Sequence, residues 1–370
     1  MTLKRTCLHE QCIDCGGRFA PFAGWEMPIQ FSGLKEEHEA VRNNAGVFDI
    51  SHMGIFKLEG ANTKEALQKL VPSDLNRIAP NEACYTLLLN NEGKILDDLI
   101  IYDLGLNKNN NEEIIIVINA ACAESDIFWI TKHLVHSNIV IKDIKEEGIF
   151  IAIQGPNSEK ILHKYFEDEL NKLQRFNHNY FTLKFDKADL EKVFIARTGY
   201  TGEDGFELLL SARQGKKLFK SLIDDGVKPC GLGSRDTLRL EAGMHLYGND
   251  MNSENTPFEA SLGWTVHLEM QTNFIGRQSL EIQAKEGVNK RLVGLKIKSR
   301  AIARKGYLVF NNDTQIGFIT SGTWSPSLDY AIAMAYVPIE MSKPGTNLFV
   351  DVRGKKHPVE VVKRPFLSRK

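Results

Sequence analysis

Leu34, His38, Val41 and Ala45 share one helical face, which predicts a helix ending near Gly46. Asn62-Thr-Lys-Glu65 has the form of a capping box opening a helix that carries Leu67, Leu70 and Val71. Strand-like runs follow at Tyr85 to Leu89, Ile95 to Tyr102 and Ile114 to Asn119, then a helix from about Ala121 to His133. A second set repeats the style, with a strand at Phe150 to Gln154, a helix after Pro156, strands near Phe194 and Phe206, and a helix from Arg213 to Ile223. Strands and helices intermingle without strict β-α-β alternation, so the pattern favours α+β lobes over a doubly wound sheet.

From about Arg291 the texture changes. Short β-rich runs (Leu292 to Ile297, Tyr307 to Phe310, Gln315 to Thr320, Ala331 to Val337, Leu348 to Val352, Val359 to Val362) alternate with Gly, Pro, Asn and Asp turns. That spacing predicts a small all-β barrel or sandwich. Charge changes with it: from Ala284 onward there are 16 Lys and Arg against 6 Asp and Glu. The chain's formal net charge is −1, so the preceding residues carry −11. A basic β domain beside an acidic body reads equally as a docking face for an acidic partner and as solvated surface lysines.

Length and composition narrow the class. At 370 residues, 42% hydrophobic and 25% charged, the chain has enough length for two or three cores. Near-zero net charge predicts no polyanion binding. No apolar run approaches the about 20 residues of a membrane span; the longest, Ile114 to Ala123, is interrupted by Asn119. Met1 to Asp14 has no hydrophobic signal region, and Glu10 and Asp14 argue against a transit peptide, so the expected compartment is the cytoplasm. Six cysteines in so long a chain make no disulfide framework. Cys12 and Cys15 form a C-x-x-C in a predicted N-terminal loop, but no second ligand pair accompanies it, so no metal is expected.

The glycine-rich segments do not bind nucleotides on spacing. Gly199-Tyr-Thr-Gly-Glu-Asp-Gly205 is G-x-x-G-x-x-G, and Gly231-Leu-Gly-Ser-Arg-Asp236 lacks a third glycine and puts an acid where phosphate would approach. Asp97 and Asp98, inside the apolar strand pattern, must point to opposite faces. Asp98 shares its face with Leu96 and Ile100, where desolvation would raise its pKa unless a donor compensates. That carboxylate suits a protonatable nitrogen or general-base chemistry, or else is an acid satisfied by backbone N–H groups at a strand end. Gly231 to Gly243 reads as a turn entering a helix with Ser234 at its N-cap. Arg235 and Arg239, one turn apart there, form either a fork for a carboxylate ligand or an internal ion-pair network with nearby acids. Glu207, in the apolar strand after Gly205, is either a surface acid or an acceptor for the paired N–H donors of a heterocycle edge.

Taken in order, these segments resemble one family, the aminomethyltransferases (T-proteins) of the glycine cleavage system. The blocks are Pro21-Phe-Ala-Gly-Trp-Glu-Met-Pro28, Gly46-Val-Phe-Asp-Ile-Ser-His-Met53, Ile95-Leu-Asp-Asp-Leu-Ile100 and Ile153-Gln-Gly-Pro156. They continue with Arg197-Thr-Gly-Tyr-Thr-Gly-Glu-Asp-Gly-Phe-Glu207, Gly231-Leu-Gly-Ser-Arg-Asp-Thr-Leu-Arg-Leu-Glu-Ala-Gly243, Leu246-Tyr-Gly-Asn-Asp250 and Thr320-Ser-Gly-Thr-Trp-Ser-Pro-Ser327. They span nearly the whole chain. A folate-binding accessory protein linked to iron–sulfur repair would carry Lys-Gly-Cys-Tyr-x-Gly-Gln-Glu, whereas Arg197-Thr-Gly-Tyr-Thr-Gly-Glu stands at the nearest segment. A folate-dependent demethylase on the same scaffold would keep the pterin pocket and change the donor channel.

The resemblance implies an α+β, three-domain cloverleaf: two α/β lobes, 1–50 with 145–225 and 51–144 with 226–280, and a small all-β barrel over 281–370. It implies tetrahydrofolate as the one-carbon acceptor near the centre and no metal. The donor is an aminomethyl group on the lipoyl arm of H-protein, a transient partner. Other glycine cleavage components are expected as partners, but neither nucleic acid nor membrane. Position by position, Asp98 matches the family's catalytic aspartate, Glu207 the acid that reads the pterin edge, and Arg235 the arginine that pairs with the folate glutamate tail. Met53, Tyr85, Val117, Asn119 and Tyr200 match positions lining the folate pocket. The family often has a second glycine where Lys94 stands, and the basic tail Lys363 to Lys370 gives no match to the C-terminal pocket residue of some members.

Overall fold

In a computed structural model the described residues are 2–145, 148–185 and 192–368; Met1, Arg369 and Lys370 lie outside them. The chain divides into two compact units, the first Met1–Ala66, Leu75–Cys84 and Leu99–Asp236, the second Leu67–Asp74, Tyr85–Asp98 and Thr237–Lys370.

A six-stranded sheet lies wholly in the first unit, in the order His178–Thr182, Lys192–Ala196, Gly205–Ser211, Gly148–Gln154, Gly46–Asp49 and Lys228–Pro229. Its central strand, Gly148–Gln154, is buried along nearly its whole length, as its continuous apolar run requires. The helix Ala212–Asp224 covers one face. Ser211 caps it by accepting from the Gln214 N–H at 3.4 Å, and Leu218, Phe219 and Leu222 face the sheet. Gly215 lets helix and strand approach: a Cβ there would come within 2.6 Å of the Ile149 Cβ.

A second sheet runs Ala83–Leu89, Ile95–Leu106, Glu112–Ile118, Gly54–Gly60 and Val140–Asp143. Two of its strands, Ala83–Leu89 and Ile95–Leu106, begin in one unit and end in the other. In the second unit the β-rich C-terminal region closes as a barrel rather than a sandwich, in the order Lys290–Ile297, Tyr330–Pro338, Thr314–Ser325, Leu308–Asn311, Asn347–Val352 and Lys355–Val362. Alternation fills it: Val293, Leu295, Ile297, Ala331, Ala333, Ala335 and Val337 share the barrel core. Ile332, Met334 and Tyr336, on the other face of their strand, pack with Leu240 and Leu292.

Three local expectations need correction. Ser234 is not an N-cap, because the helix Leu232–Glu241 has already begun; its hydroxyl instead donates to the Gly231 carbonyl at 2.9 Å and the Glu37 carboxylate at 3.2 Å. The helix at Thr63 is only Thr63–Gln68; it opens directly after Asn62, whose carbonyl accepts from the Ala66 N–H at 3.1 Å, but Leu70 and Val71 lie beyond its end. Cys12 lies on a short helix, His9–Asp14, not in a loop; both it and Cys15 are free thiols, with Cys12 pushed well up by burial.

Candidate active site

Residues 197–207 are held from several sides within the first unit. Arg197 makes paired bonds to Asp204 at 2.9 and 2.6 Å and reaches Glu159 at 2.9 Å. Behind the turn, Gln154 donates to the Thr198 carbonyl at 3.0 Å and accepts from the Thr201 hydroxyl at 2.8 Å. A side chain at Gly199 or Gly205 would collide with this glutamine, so both positions stay bare to let it clamp the loop. The clamp fixes Thr198 and Tyr200.

Glu207 follows on the strand Gly205–Ser211, with Ala152 and Ala196 as its register partners. It is 5% exposed, and its Oε2 accepts from the Thr198 hydroxyl at 2.7 Å. Burial pushes its carboxyl above the ordinary carboxylate range, while Arg235 and Thr198 pull it back. Thr198 in turn lies 3.2 Å from the hydroxyl of Tyr102, a fully buried residue.

Arg235 reaches this group from the helix Leu232–Glu241, whose start is stapled by one carboxylate. Glu37, fully buried, accepts from the N–H groups of Phe31, Gly33 and Gly231 at 2.6, 3.1 and 2.8 Å, besides the Ser234 hydroxyl. The Arg235 guanidinium lies 5.0 Å from the Tyr200 ring centroid and 6.0 Å from that of Phe48. Its Nη1 is buried with no hydrogen-bond partner among the described residues. Burial pulls its pKa below the usual arginine value, opposed by Glu207 and Tyr200. A half-buried arginine beside two rings, with an enclosed donor that no described residue matches and an acid in electrostatic reach, is arranged to receive an acceptor oxygen from outside the protein.

His52, one residue before Met53, is 3% exposed, its Nδ1 has no hydrogen-bond partner among the described residues, and burial, Arg235 and Lys145 hold its pKa down to about 3. The Lys145 ammonium donates to the His52 carbonyl at 3.0 Å and lies 4.1 Å from the Trp25 ring centroid; burial lowers its pKa to about 8.

The other residues singled out in the sequence divide between the units. Met53, half-buried, Val117, 7% exposed, and Asn119, half-buried, belong to the first. Val117 is the cross-strand partner of Ile100 and Ile55. Asp98 and Tyr85 belong to the second. Asp97 and Asp98 do point to opposite faces, but the fully buried carboxylate is Asp97, in the row with Ile95 and Leu99, while Asp98 shares a half-buried row with Leu96 and Ile100. Asp98 is thus less desolvated than its apolar neighbours imply. Of the two alternatives for Arg235 and Arg239, the structure shows an ion pair at Arg239. Arg239 pairs with Asp250 at 2.6 Å with both side chains at most 1% exposed, as the ion-pair alternative has it.

Three participants escaped the sequence reading. Tyr102 and Thr198 are ordinary buried hydroxyls until Glu207 is placed beside them. Trp264, 64% exposed, stacks on Tyr85 at 5.7 Å with planes 23° apart; a lone tryptophan between Gly263 and Thr265 gives no signal until that stacking is seen. Among the described residues no group of three or more His, Cys, Asp or Glu could hold a metal ion, and no helix is long and apolar enough to cross a membrane.

Comparison with known proteins bears on this arrangement over the whole chain. Residues 8–270 match the model of the GCVT N-terminal domain, and residues 290–367 match the glycine cleavage T-protein C-terminal barrel domain. Aminomethyltransferase of Parasynechococcus marenigrum (strain WH8102) is 58% identical over 369 residues, covering 100% of both chains. That of Prochlorococcus marinus (strain MIT 9303) is 56% identical over 370 residues, covering 100% of this chain and 99% of the relative. The crystal structure of glycine cleavage system aminomethyltransferase T from Bartonella henselae superposes with a TM-score of 0.90 at 35% identity, covering 99% of this chain and 98% of that one. The fold, both family models and full-length identity agree: the chain belongs to the aminomethyltransferase family, the T-proteins of the glycine cleavage system.

Proposed function

We propose that the chain moves the methylene carbon of an aminomethyl group, carried on the lipoyl arm of H-protein, to tetrahydrofolate. Ammonia leaves, and the products are 5,10-methylenetetrahydrofolate and dihydrolipoyl H-protein. The observation that carries the folate half of this reading is the Glu207–Arg235 group, a buried acid and a half-buried arginine, in which, among the described residues, Arg235 Nη1 has no hydrogen-bond partner and Glu207 accepts one hydrogen bond. A reduced pterin carries the complementary edges, paired N–H donors on one side and carbonyl or carboxylate acceptors elsewhere.

Tetrahydrofolate supplies the nucleophilic nitrogens that take up the carbon. Glu207 accepts N–H donors of the pterin's amidine-like edge and so fixes the ring's orientation. Arg235 binds an acceptor oxygen of the ligand, the glutamate tail in the assignment that the resemblance implies. Tyr200, beneath the guanidinium, keeps that charge in place. Tyr85, Met53, Val117 and Asn119 line the ligand in the same assignment, and the Tyr85–Trp264 stack offers an exposed aromatic face for a flat ring. Asp98 acts on the positive charge that develops on the transferred carbon and orients the accepting nitrogen, an electrostatic and positioning role more than a proton store.

The partner is transient, and the basic barrel contributes to its docking. Arg300 is exposed, whereas Lys298 pairs with Glu360 at 2.9 Å and Lys296 lies 4.3 Å from the Tyr330 ring centroid. Transfer should therefore slow with ionic strength, and charge reversal at Arg300 should weaken docking more than reversal at either lysine. The chemistry belongs to the cytoplasm of a bacterial cell.

The test supplies tetrahydrofolate and aminomethyl-loaded H-protein and follows ammonia and methylenetetrahydrofolate together. Equal release of both supports the reaction; ammonia without methylenetetrahydrofolate refutes it. In the same assay Asp98→Asn should lose about 10²-fold or more in turnover with tetrahydrofolate still bound. Near-normal turnover would remove Asp98 from the reaction.

A further inference from the structure

Three buried groups of the first unit form a single file: the Tyr102 hydroxyl, the Thr198 hydroxyl and the Glu207 carboxylate, with contacts of 3.2 and 2.7 Å. The three residues are 0%, 6% and 5% exposed. The file joins a strand of one sheet, Ile95–Leu106, to the turn that precedes Glu207's strand in the other, across 96 residues of sequence. Its far end is rigid, because the Tyr102 ring packs edge-on against His178 at 5.4 Å and Phe194 at 5.3 Å. Its middle is rigid because Gln154 holds the Thr198 carbonyl.

Donor accounting gives the file a direction. Each hydroxyl has one hydrogen, and an ionised carboxylate has none. Thr198 must spend its hydrogen on Glu207 Oε2, so Tyr102 must donate to Thr198 Oγ1. Both bonds are then satisfied with no proton on the acid. Glu207 Oε1 receives no hydrogen bond from the described residues.

We propose that Tyr102 and Thr198 are positioning residues of the candidate site, a directed relay that holds Glu207 as an oriented, acceptor-only carboxylate whose Oε1 selects ligands presenting N–H donors. The proposal rests on the reading of Glu207 as the acid facing the pterin edge and deepens it. A carboxylate pinned by one oxygen presents the other at a fixed angle; without the pin it rotates or takes a proton, and a protonated acid no longer rejects a ligand that lacks the donors.

The experiment is steady-state transfer from aminomethyl-loaded H-protein with tetrahydrofolate varied, repeated with the 2-desamino-2-methyl analogue, which lacks one N–H donor group. Thr198→Val should raise the KM for tetrahydrofolate about tenfold, more than it lowers kcat, and should shrink the preference over the analogue by a similar factor. The KM for loaded H-protein should hold. Thr198→Ser restores the donor and should bring both quantities back to within about twofold of the parent, which a packing defect would not do. Tyr102→Phe removes only the outer bond and should cost about two- to threefold in KM. Unchanged KM and unchanged preference in Thr198→Val overturn the relay. If circular dichroism shows that Thr198→Val is misfolded, Tyr102→Phe decides alone: a raised KM supports the relay and a parental KM overturns it. Glu207→Gln separates the two levels. Loss of preference there with none in Thr198→Val overturns the relay alone, whereas parental behaviour of Glu207→Gln overturns the reading of Glu207 itself.

Discussion

Arg235 and Arg239 stand one turn apart on the helix Leu232–Glu241, and the two regions they serve are built differently. Arg239 is closed on itself. Its Nη1 donates to Asp250 at 2.6 Å and the Met244 carbonyl at 3.1 Å, and its Nη2 donates to Ser321 at 2.8 Å. Asp250 is filled as well, by the Leu246 N–H at 3.0 Å and the Thr320 hydroxyl at 2.5 Å. Nearby, Glu241 accepts from the hydroxyls of Ser325 and Ser327, and the Leu367 N–H ties the C-terminal segment to the Glu241 carbonyl. Glu207 is nearly as dry and Arg235 is half-buried with its Nη1 enclosed, and among the described residues both have capacity left over. A closed polar network joins helix, barrel and tail, while an open one is free to meet a ligand. Saturation, together with the access that leaves Arg235 half-buried, separates the two more than charge does.

The comparison breaks most sharply at its closed half. Arg239→Met leaves Asp250 buried without its counter-charge, and we expect a loss of about 3–5 kcal/mol in chemical denaturation. A stable Arg239→Met protein would mean that the network is ornamental. Arg235→Met should do the opposite, sparing the melting temperature while tetrahydrofolate affinity, read by equilibrium titration, falls about 100-fold, as expected for a lost charge-assisted contact.

A pH series sharpens the open half further. Burial raises the Glu207 pKa in the folded chain above its unfolded value, so the group favours folding at low pH and that contribution disappears as pH rises through the raised value. Ligand binding needs the ionised acid and runs the other way: the KM for tetrahydrofolate should fall as pH climbs past the ordinary carboxylate range. Glu207→Gln should abolish that limb, bind tetrahydrofolate about tenfold more weakly at neutral pH, and melt no lower than the parent. A lower melting temperature in Glu207→Gln would place the acid with the closed networks. Least of all, Tyr200→Leu removes the ring beneath Arg235 and should weaken binding only several-fold, within the range of an exposed to partly desolvated cation–π contact.

Much of the fold was legible because it depends on local periodicity. The barrel strands alternate, Gly148–Gln154 is a continuous apolar run, and the helix after Ser211 shows Leu218, Phe219 and Leu222 on one face. The site was legible in part, since Glu207 and Arg235 occur in conspicuous blocks. What stayed hidden was the state of each polar group. Strand parity separated Asp97 from Asp98 but could not say which face is dry, because that depends on what covers the strand. Ser234 has the composition of a cap, yet its hydroxyl goes to Glu37, 197 positions away.

The sequence by itself determined most of the elements, the all-β character of the C-terminal domain and the family blocks, since hydrophobic period and turn chemistry act over a few residues. Tertiary structure alone decided that Arg239 is spent and Arg235 is not, and that Tyr102 and Thr198 stand behind Glu207. Those outcomes turn on partners 82 residues apart for Arg239 and Ser321, and 96 apart for Tyr102 and Thr198. A hydrogen bond forms or fails within a few tenths of an ångström, a precision that only the packed chain imposes on residues so distant in sequence.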